Sequence, residues 1–338
     1  MRGARLLILS PAFHDYDRAF SAAFEQLGYQ VMVHLYDHNA TVAAKARTKL
    51  LHELPERLGR DTTEQRTRAI TDSAIRAIRS VKPQAVLVIK GDVLADDVWS
   101  ELDAMGIPRA LWLYDELRRT RWDRSALAGI PFVASYSAHD TDELREAGMN
   151  AHHVPLGFDH LMQVRPAGTR TGEFTFIGAR YPNRETVMTR LADAGIPVRV
   201  YGRDWSKDPR DVLRTWGSSR PALPWGRDLR RADAYQVMRD GAATLNIHGD
   251  QDGFTMRTFE ACGVGAVQII DRADVEGLYE PGRELLVASS ADEAVDQAQR
   301  IVTDPSWART IREAGERRTL AEHTLVHRAE QLAAAFTC

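Results

Sequence analysis

The chain has 338 residues, and at roughly 150 residues per domain that length calls for about two domains. With 44% hydrophobic, 8% aromatic and 27% charged residues it has the make-up of a folded globular protein, which excludes a small disulfide-stapled module and a wholly disordered chain. A net charge of -3 supplies no overall positive field for nucleic acid or an anionic membrane surface, so any such contact would have to come from a local patch.

The elements predicted in chain order alternate short apolar runs with longer helical patterns, as βα units around a parallel sheet do. The first strand is Leu6 to Leu9, followed by a helix ending near Gly28. Gln30 to Tyr36, Ala85 to Ile89, Ala110 to Tyr114 and Phe132 to Tyr136 are each apolar enough for strands covered on both faces. Between the second and third of these, residues 41 to 80 read as a helical hairpin broken at Pro55 and Gly59. Gly157, Pro166, Gly168 and Gly172 then cluster without periodicity, which puts an interdomain linker between Pro155 and Gly172.

After the linker the alternation restarts with strands at Phe174 to Ile177, Val198 to Tyr201, Thr244 to Ile247, Ala266 to Ile270 and Leu285 to Val287. Residues 203 to 231 break the rhythm, carrying Trp205, Trp216 and Trp225 among seven arginines. They read equally as a loop that stacks on a base or sugar and as a surface excursion packed by its own tryptophans. From Asp292 onward the pattern is helical, divided at Pro305. The fold class is therefore α/β, with two Rossmann-like domains in succession, spanning 1–160 and 171–318.

Only five of the 44 basic residues are lysine, so a given arginine is weak evidence for function in this chain. Cys262 and Cys338 cannot build a disulfide framework, and the apolar run around Cys262 predicts a buried free thiol. The start of the chain is too short for a signal-peptide core, and no run approaches the roughly 18 apolar residues of a membrane span. A cytoplasmic protein without a membrane span is expected.

The most informative segment is Asp250-Gln251-Asp252-Gly253-Phe254-Thr255-Met256-Arg257-Thr258-Phe259-Glu260. A strand ending at Ile247 delivers the chain to a glycine-containing turn, after which Phe254 to Ala261 can form a helix. Free amides at such a helix start, with the dipole behind them, suit a phosphate. Asp252 and Glu260 fall on a similar face about two turns apart, where carboxylates can accept hydrogen bonds from sugar hydroxyls. The same spacing fits a solvated acidic loop with Glu260 paired to Arg257.

This segment resembles the E-x7-E region of GT-B glycosyltransferases, with Asp252 where the first glutamate usually stands and Glu260 matching the second. The wider pattern resembles the CgeB-like branch of that fold. Val86-Leu87-Val88-Ile89-Lys90-Gly91-Asp92 and Ala110-Leu111-Trp112-Leu113-Tyr114-Asp115-Glu116 look like its third- and fourth-strand motifs, while Phe176-Ile177-Gly178-Ala179-Arg180-Tyr181-Pro182-Asn183-Arg184 and Tyr201-Gly202-Arg203-Asp204-Trp205 look like the opening of its second domain.

The resemblance implies a nucleotide-sugar donor, such as a UDP-sugar, held by the C-terminal domain across a cleft from an acceptor domain, with a helix at 319–338 returning to the N-terminal domain. It implies Glu260 on the donor ribose, Asp252 on the transferred sugar, and the backbone of Gly253, Phe254 and Thr255 on the diphosphate. Arg180 and Arg184 would neutralise that diphosphate, with Gly178 allowing close approach and Arg257 a further candidate. Aspartate in place of glutamate at 252 shortens the reach to the sugar. Charge grows on the leaving phosphate in the transition state, so fixed cations and amides there lower the barrier.

Asp250-Gln251-Asp252 is also a DxD tripeptide, which in another glycosyltransferase fold holds Mn or Mg against the diphosphate. Two α/β halves and a helix phosphate site favour the arrangement with no cofactor and no metal. Candidates for a catalytic base are Asp115, then His14 with Asp15, all following strands at carboxyl ends; Asp92 shares that position. Asp15, Asp17 and Asp115 also fit a plain capping role. No Walker A loop, GxGxxG, CxxC or GxSxG motif is present, and the histidines lack metal-ligand spacing.

Three functions stay open on these grounds: a glycosyltransferase, a nucleotide-sugar epimerase of the same fold, and a nucleotide-sugar binding protein without chemistry. The acceptor is open among a surface polymer, a protein, a natural product and, as a minority option, a modified DNA base.

Overall fold

The structure, a computed structural model, describes residues 3–37, 63–166, 168, 170–215 and 219–337. It divides into two compact units, one of Met1–Leu156 with Leu325–Cys338, the other of Gly157–Thr324. Each is a six-stranded sheet with every strand pair parallel.

The sheet of the first unit contains β1 (Arg5–Ser10), β2 (Gln30–Leu35), β3 (Ala85–Ile89), β4 (Arg109–Leu113), β5 (Val133–Ser135) and β6 (Ala151–His153), in the spatial order β2-β1-β3-β4-β5-β6. The uninterrupted apolar runs of β3 and β4 are wholly buried, as parallel strands covered by helices on both faces must be. β2 departs from that expectation. Among the described residues it has one neighbour, β1, and Val31 to Leu35 stay half-buried because an edge strand is covered less completely. Its helices are α1 (Tyr16–Gln26), α2 (Thr63–Val81), α3 (Asp97–Ala104), α4 (Arg124–Leu127) and α5 (Ala138–Glu146). α2 supplies part of the helical stretch expected at 41–80; residues 41–62 lie outside the described residues.

The second unit contains β7 (Phe174–Ile177), β8 (Val198–Tyr201), β9 (Trp225–Gly226), β10 (Ala243–Asn246), β11 (Gln268–Ile270) and β12 (Leu286–Val287), ordered β12-β11-β10-β7-β8-β9. Numbered from its own first strand and read from the other edge, this is the 3-2-1-4-5-6 order of a doubly wound dinucleotide fold. Its helices are α6 (Pro182–Asp193), α7 (Pro209–Thr215), α8 (Arg231–Asp240), α9 (Met256–Gly263), α10 (Ala291–Thr303) and α11 (Pro305–Glu322).

The segment 203–231 is not a plain loop: it holds α7 and the edge strand β9, while Trp216 lies outside the described residues. Trp205 is 1% exposed and donates its indole N–H to Gly178 O at 3.0 Å, so it anchors the segment from inside rather than offering a stacking face.

The last helix, α12 (Leu325–Ala333), begins later than residue 319, because α11 runs unbroken to Glu322. α12 packs against α1, and Phe336 just beyond it lies 6.3 Å from Phe24 and 6.2 Å from Tyr29, ring to ring. Arg328 of α12 donates to Leu156 O at 3.0 Å. Among the described residues no helix is long and apolar enough to cross a membrane.

Candidate donor and acceptor sites

In an open parallel sheet, ligands bind beyond the strand carboxyl ends where the strand order reverses, because the loops there turn to opposite faces and leave a crevice. In the second unit that point lies between β7 and β10, which are neighbours although residues 178–242 separate them in the chain. The β7–α6 turn and the β10–α9 turn therefore meet there, and these are the segments carrying the anticipated donor residues.

The β7–α6 turn is tightly held. Arg184 donates through Nε to Ile247 O at 2.8 Å and through Nη1 to Ala179 O at 3.0 Å, tying the two turns together. Its guanidinium also lies 4.6 Å from the Tyr181 ring centroid, and burial pushes its pKa below the ordinary arginine value. Asn183 adds a second tie, donating to His248 O at 2.9 Å. Arg180 faces elsewhere: it pairs with Glu185 Oε2 at 2.7 Å and donates to Ser219 O. Gly178 closes β7 against β8, with its amide donating to Tyr201 O at 3.0 Å.

Across the reversal, α9 starts at Met256, two residues later than the sequence pattern suggests. Thr255 is its N-cap residue and makes no side-chain capping bond, so its side chain does not compete with a ligand for the first-turn amides. Asp252 is exposed, Gly253 is buried, and Asp252 O accepts a hydrogen bond from Arg272 Nη1. Arg272 sits 4.1 Å above the Phe254 ring and pairs with Glu276 at 3.3 Å, so the turn is clamped from β11. The Phe254 side chain is 2% exposed and belongs to the core; only its backbone can face a ligand.

The two carboxylates of the D-x7-E spacing differ in depth. Glu260 is 1% exposed and pairs with Arg257 Nη1 at 2.8 Å, the alternative that the spacing also allowed. A ribose could reach it after Arg257, itself a quarter exposed, moves aside. Sequence reasoning missed three residues here: Arg272, His248 and Asp271. His248 lies two residues beyond β10 and donates through Nδ1 to Asp271 Oδ1 at 2.8 Å, just beyond β11. A histidine and an aspartate following adjacent strands at their carboxyl ends was the available signal.

In the first unit the order reverses between β1 and β3. His14 and Asp15 follow β1 with left-handed φ values of 46° and 57°, and Lys90 follows β3 at 64°. Non-glycine residues adopt that region at a cost that persists where surrounding structure enforces it, often at functional sites. Asp15 occupies the N-cap position of α1 without a side-chain capping bond. Asp115, after β4, is partly exposed, accepts from Glu116 N at 3.2 Å and lies 3.4 Å from Lys90 Nζ. The ring of Phe13, next to His14, lies 4.9 Å from that of Tyr114, so the β1 and β4 ends adjoin. Beside them Glu116 is wholly buried, held by the Tyr136 hydroxyl at 2.6 Å and Arg119 at 2.7 Å.

Two parallel doubly wound units in succession are the parts of the GT-B fold. Residues 172–334 match the family model described as glycosyl transferase-like. Spore protein CgeB of Bacillus subtilis (strain 168) is 22% identical over 213 residues, which cover 59% of this chain and 67% of that one. Among solved structures, Anabaena HepE in complex with UDP-glucose superposes with a TM-score of 0.63 at 13% identity, over 99% of both chains. Sucrose-phosphate synthase from Thermosynechococcus elongatus gives 0.63 at 14%, over 98% of both. The chain therefore shares the GT-B fold with these structures, and residues 172–334 are similar to a glycosyl transferase-like domain.

Proposed function

We propose that the protein transfers a glycosyl group from a UDP-sugar to an acceptor hydroxyl, binding the donor on the second unit and the acceptor on the first. The observation that carries this reading is the β7–β10 reversal, where Arg184 bridges the two turns and α9 begins after Thr255, whose side chain makes no capping bond. The nucleotide is taken as UDP because HepE, which shares the fold, is seen with UDP and with UDP-glucose.

In this reading the amides at the start of α9 and the Arg184 guanidinium face the diphosphate. As the glycosidic bond breaks, negative charge grows on the leaving phosphate oxygen. A fixed cation and oriented amides hold that charge better than mobile water does, which lowers the barrier. Arg272 keeps the turn in place through Asp252 O, so the amides are set before the donor arrives. Glu260 is the ribose acceptor once Arg257 swings out, and Asp252, exposed, is the group for the transferred sugar. Asp115 or His14 accepts the acceptor hydroxyl's proton if transfer inverts the anomeric centre. The donor is activated without a metal, since helix and arginine already supply the positive potential.

The experiment is turnover of a panel of UDP-sugars by purified protein, following UDP release with and without EDTA. Release that survives EDTA supports the reading. Release lost with EDTA and restored by Mn would move the activation to Asp250 and Asp252. Epimerised donor without released UDP would assign an isomerase, and absence of both products with every donor would refute the enzyme.

A further inference from the structure

His248 is only 3% exposed, yet one of its two ring nitrogens has no hydrogen-bond partner among the described residues. Asp271 accepts from its backbone N–H at 3.0 Å and from Nδ1 at 2.8 Å. A carboxylate accepts hydrogen bonds, so Nδ1 carries the proton and Nε2 is turned away from Asp271. Nε2 is buried and has no hydrogen-bond partner among the described residues. Such a nitrogen is costly to leave in an interior, and native structures tolerate it mainly where a ligand or water completes it.

The position of the ring indicates which ligand. The carbonyl of His248 is held by Asn183, and that of Ile247 by Arg184, so the imidazole adjoins the β7–α6 turn. On its other side it meets the Phe254 ring edge-on at 5.5 Å, just before the start of α9. It thus stands between a half-buried arginine and a helix N-terminus, two groups that both favour an anion. The other charged groups nearby are Asp250 and Asp252 in the turn, Arg272 with Glu276 beyond β11, and the Arg257–Glu260 pair on α9.

We propose that His248 binds the donor's diphosphate through Nε2, taking up a proton as it does so, and that Asp271 is the positioning residue that fixes the ring. Asp271, imidazolium and phosphate oxygen then form one hydrogen-bonded chain. The proton comes from bulk water on binding and returns there when the nucleoside diphosphate departs; only hydrogen bonds form and break. The proposal rests on the reading of the second unit as a nucleoside-diphosphate site.

The test is calorimetric titration of full-length protein with UDP near pH 7.5 in buffers of different ionisation enthalpy, which reports protons taken up, with uridine as the phosphate-free control. Wild type is expected to take up a proton, at most one per UDP. His248→Gln should bind UDP roughly 10- to 100-fold more weakly, the effect of losing a charge-assisted hydrogen bond, and without uptake, while its affinity for uridine is unchanged. Asp271→Asn should lose proton uptake but less affinity. An asparagine amide can donate to Nδ1 and leave the proton on Nε2 of a neutral ring.

Equal UDP affinity in wild type and a folded His248→Gln variant would overturn the proposal while leaving the donor reading intact. A loss seen with UDP-sugars but not UDP would overturn it too, placing Nε2 on the transferred sugar. If wild type binds no nucleotide, the donor reading falls and this proposal with it.

Discussion

Gly202→Ala is expected to destabilise the second unit through a collision that can be located atom by atom. Gly202 follows β8 at φ 147°, in the region that favours glycine, and an added Cβ would lie 2.5 Å from the backbone oxygen of Gly178. That oxygen already accepts the Trp205 indole at 3.0 Å, and Trp205 packs into the core beneath. The positive φ costs a side chain about 1–2 kcal/mol. Weakening the indole hydrogen bond and displacing a packed backbone bring the expected loss to roughly 2–4 kcal/mol. For a unit of this size that is a fall in Tm of about 5–15 °C.

Gly178→Ala is the control. At φ 159° it bears the same backbone penalty of about 1–2 kcal/mol, but its Cβ would meet the Phe176 ring at 3.4 Å and Arg184 Nη1 at 3.8 Å, ordinary contacts, so no collision adds to that loss, and weaker UDP binding is expected alongside if Gly178 lets the diphosphate approach. Differential scanning calorimetry of both variants, with UDP titrations alongside, gives the comparison. A Gly202→Ala protein that melts with wild type would refute the packing argument for this turn. Equal losses in both variants would refute the assignment of distinct roles to the two glycines.

Other predictions concern the first unit and the buried thiol. Asp115→Asn or His14→Ala should lower kcat by about 100-fold or more if either group is the base, with the donor KM unchanged; wild-type turnover in both would exclude the pair. Burial holds His34 and His153 below the ordinary imidazole value of 6.5. The unfolded chain therefore takes up protons first, and the stability that these neutral rings contribute is full above about pH 6.5 and is lost as pH falls below it. Denaturant titrations from pH 7.5 to 5.5 should show the decline, reduced in His34→Gln and His153→Gln; a flat profile contradicts it. Burial pushes the Cys262 thiol up to about 12. In a Cys338→Ser variant it should resist a thiol reagent at pH 8 until the protein unfolds, and reaction at the rate of a free thiol would contradict the burial.

How legible the fold was depended on how far apart the interacting residues lie. β7 and β8 were bounded to the residue because short apolar runs end there at glycine. β9 went unseen, since two residues among prolines and glycines carry no periodicity; their strand character comes from pairing with Val200 and Tyr201. Spacing put Glu260 on a helix face but could not give its depth, which Arg257 and the surrounding core decide. His248 and Asp271 were missed for a related reason. They are 23 residues apart and meet because β10 and β11 pair with Asn246 opposite Ile270, a register that tertiary packing sets. Donor residues on contiguous turns could be proposed from sequence, whereas those assembled across strands could not.

The central claim is that the donor sits at the β7–β10 reversal of the second unit. Amide hydrogen exchange with and without saturating UDP measures this most directly. The account predicts slowed exchange in the β7–α6 turn, residues 178–184, and in the β10–α9 segment, residues 247–258, with the first unit unchanged. Protection centred on residues 13–15 and 90–92, or unchanged exchange throughout at saturating UDP, would contradict it.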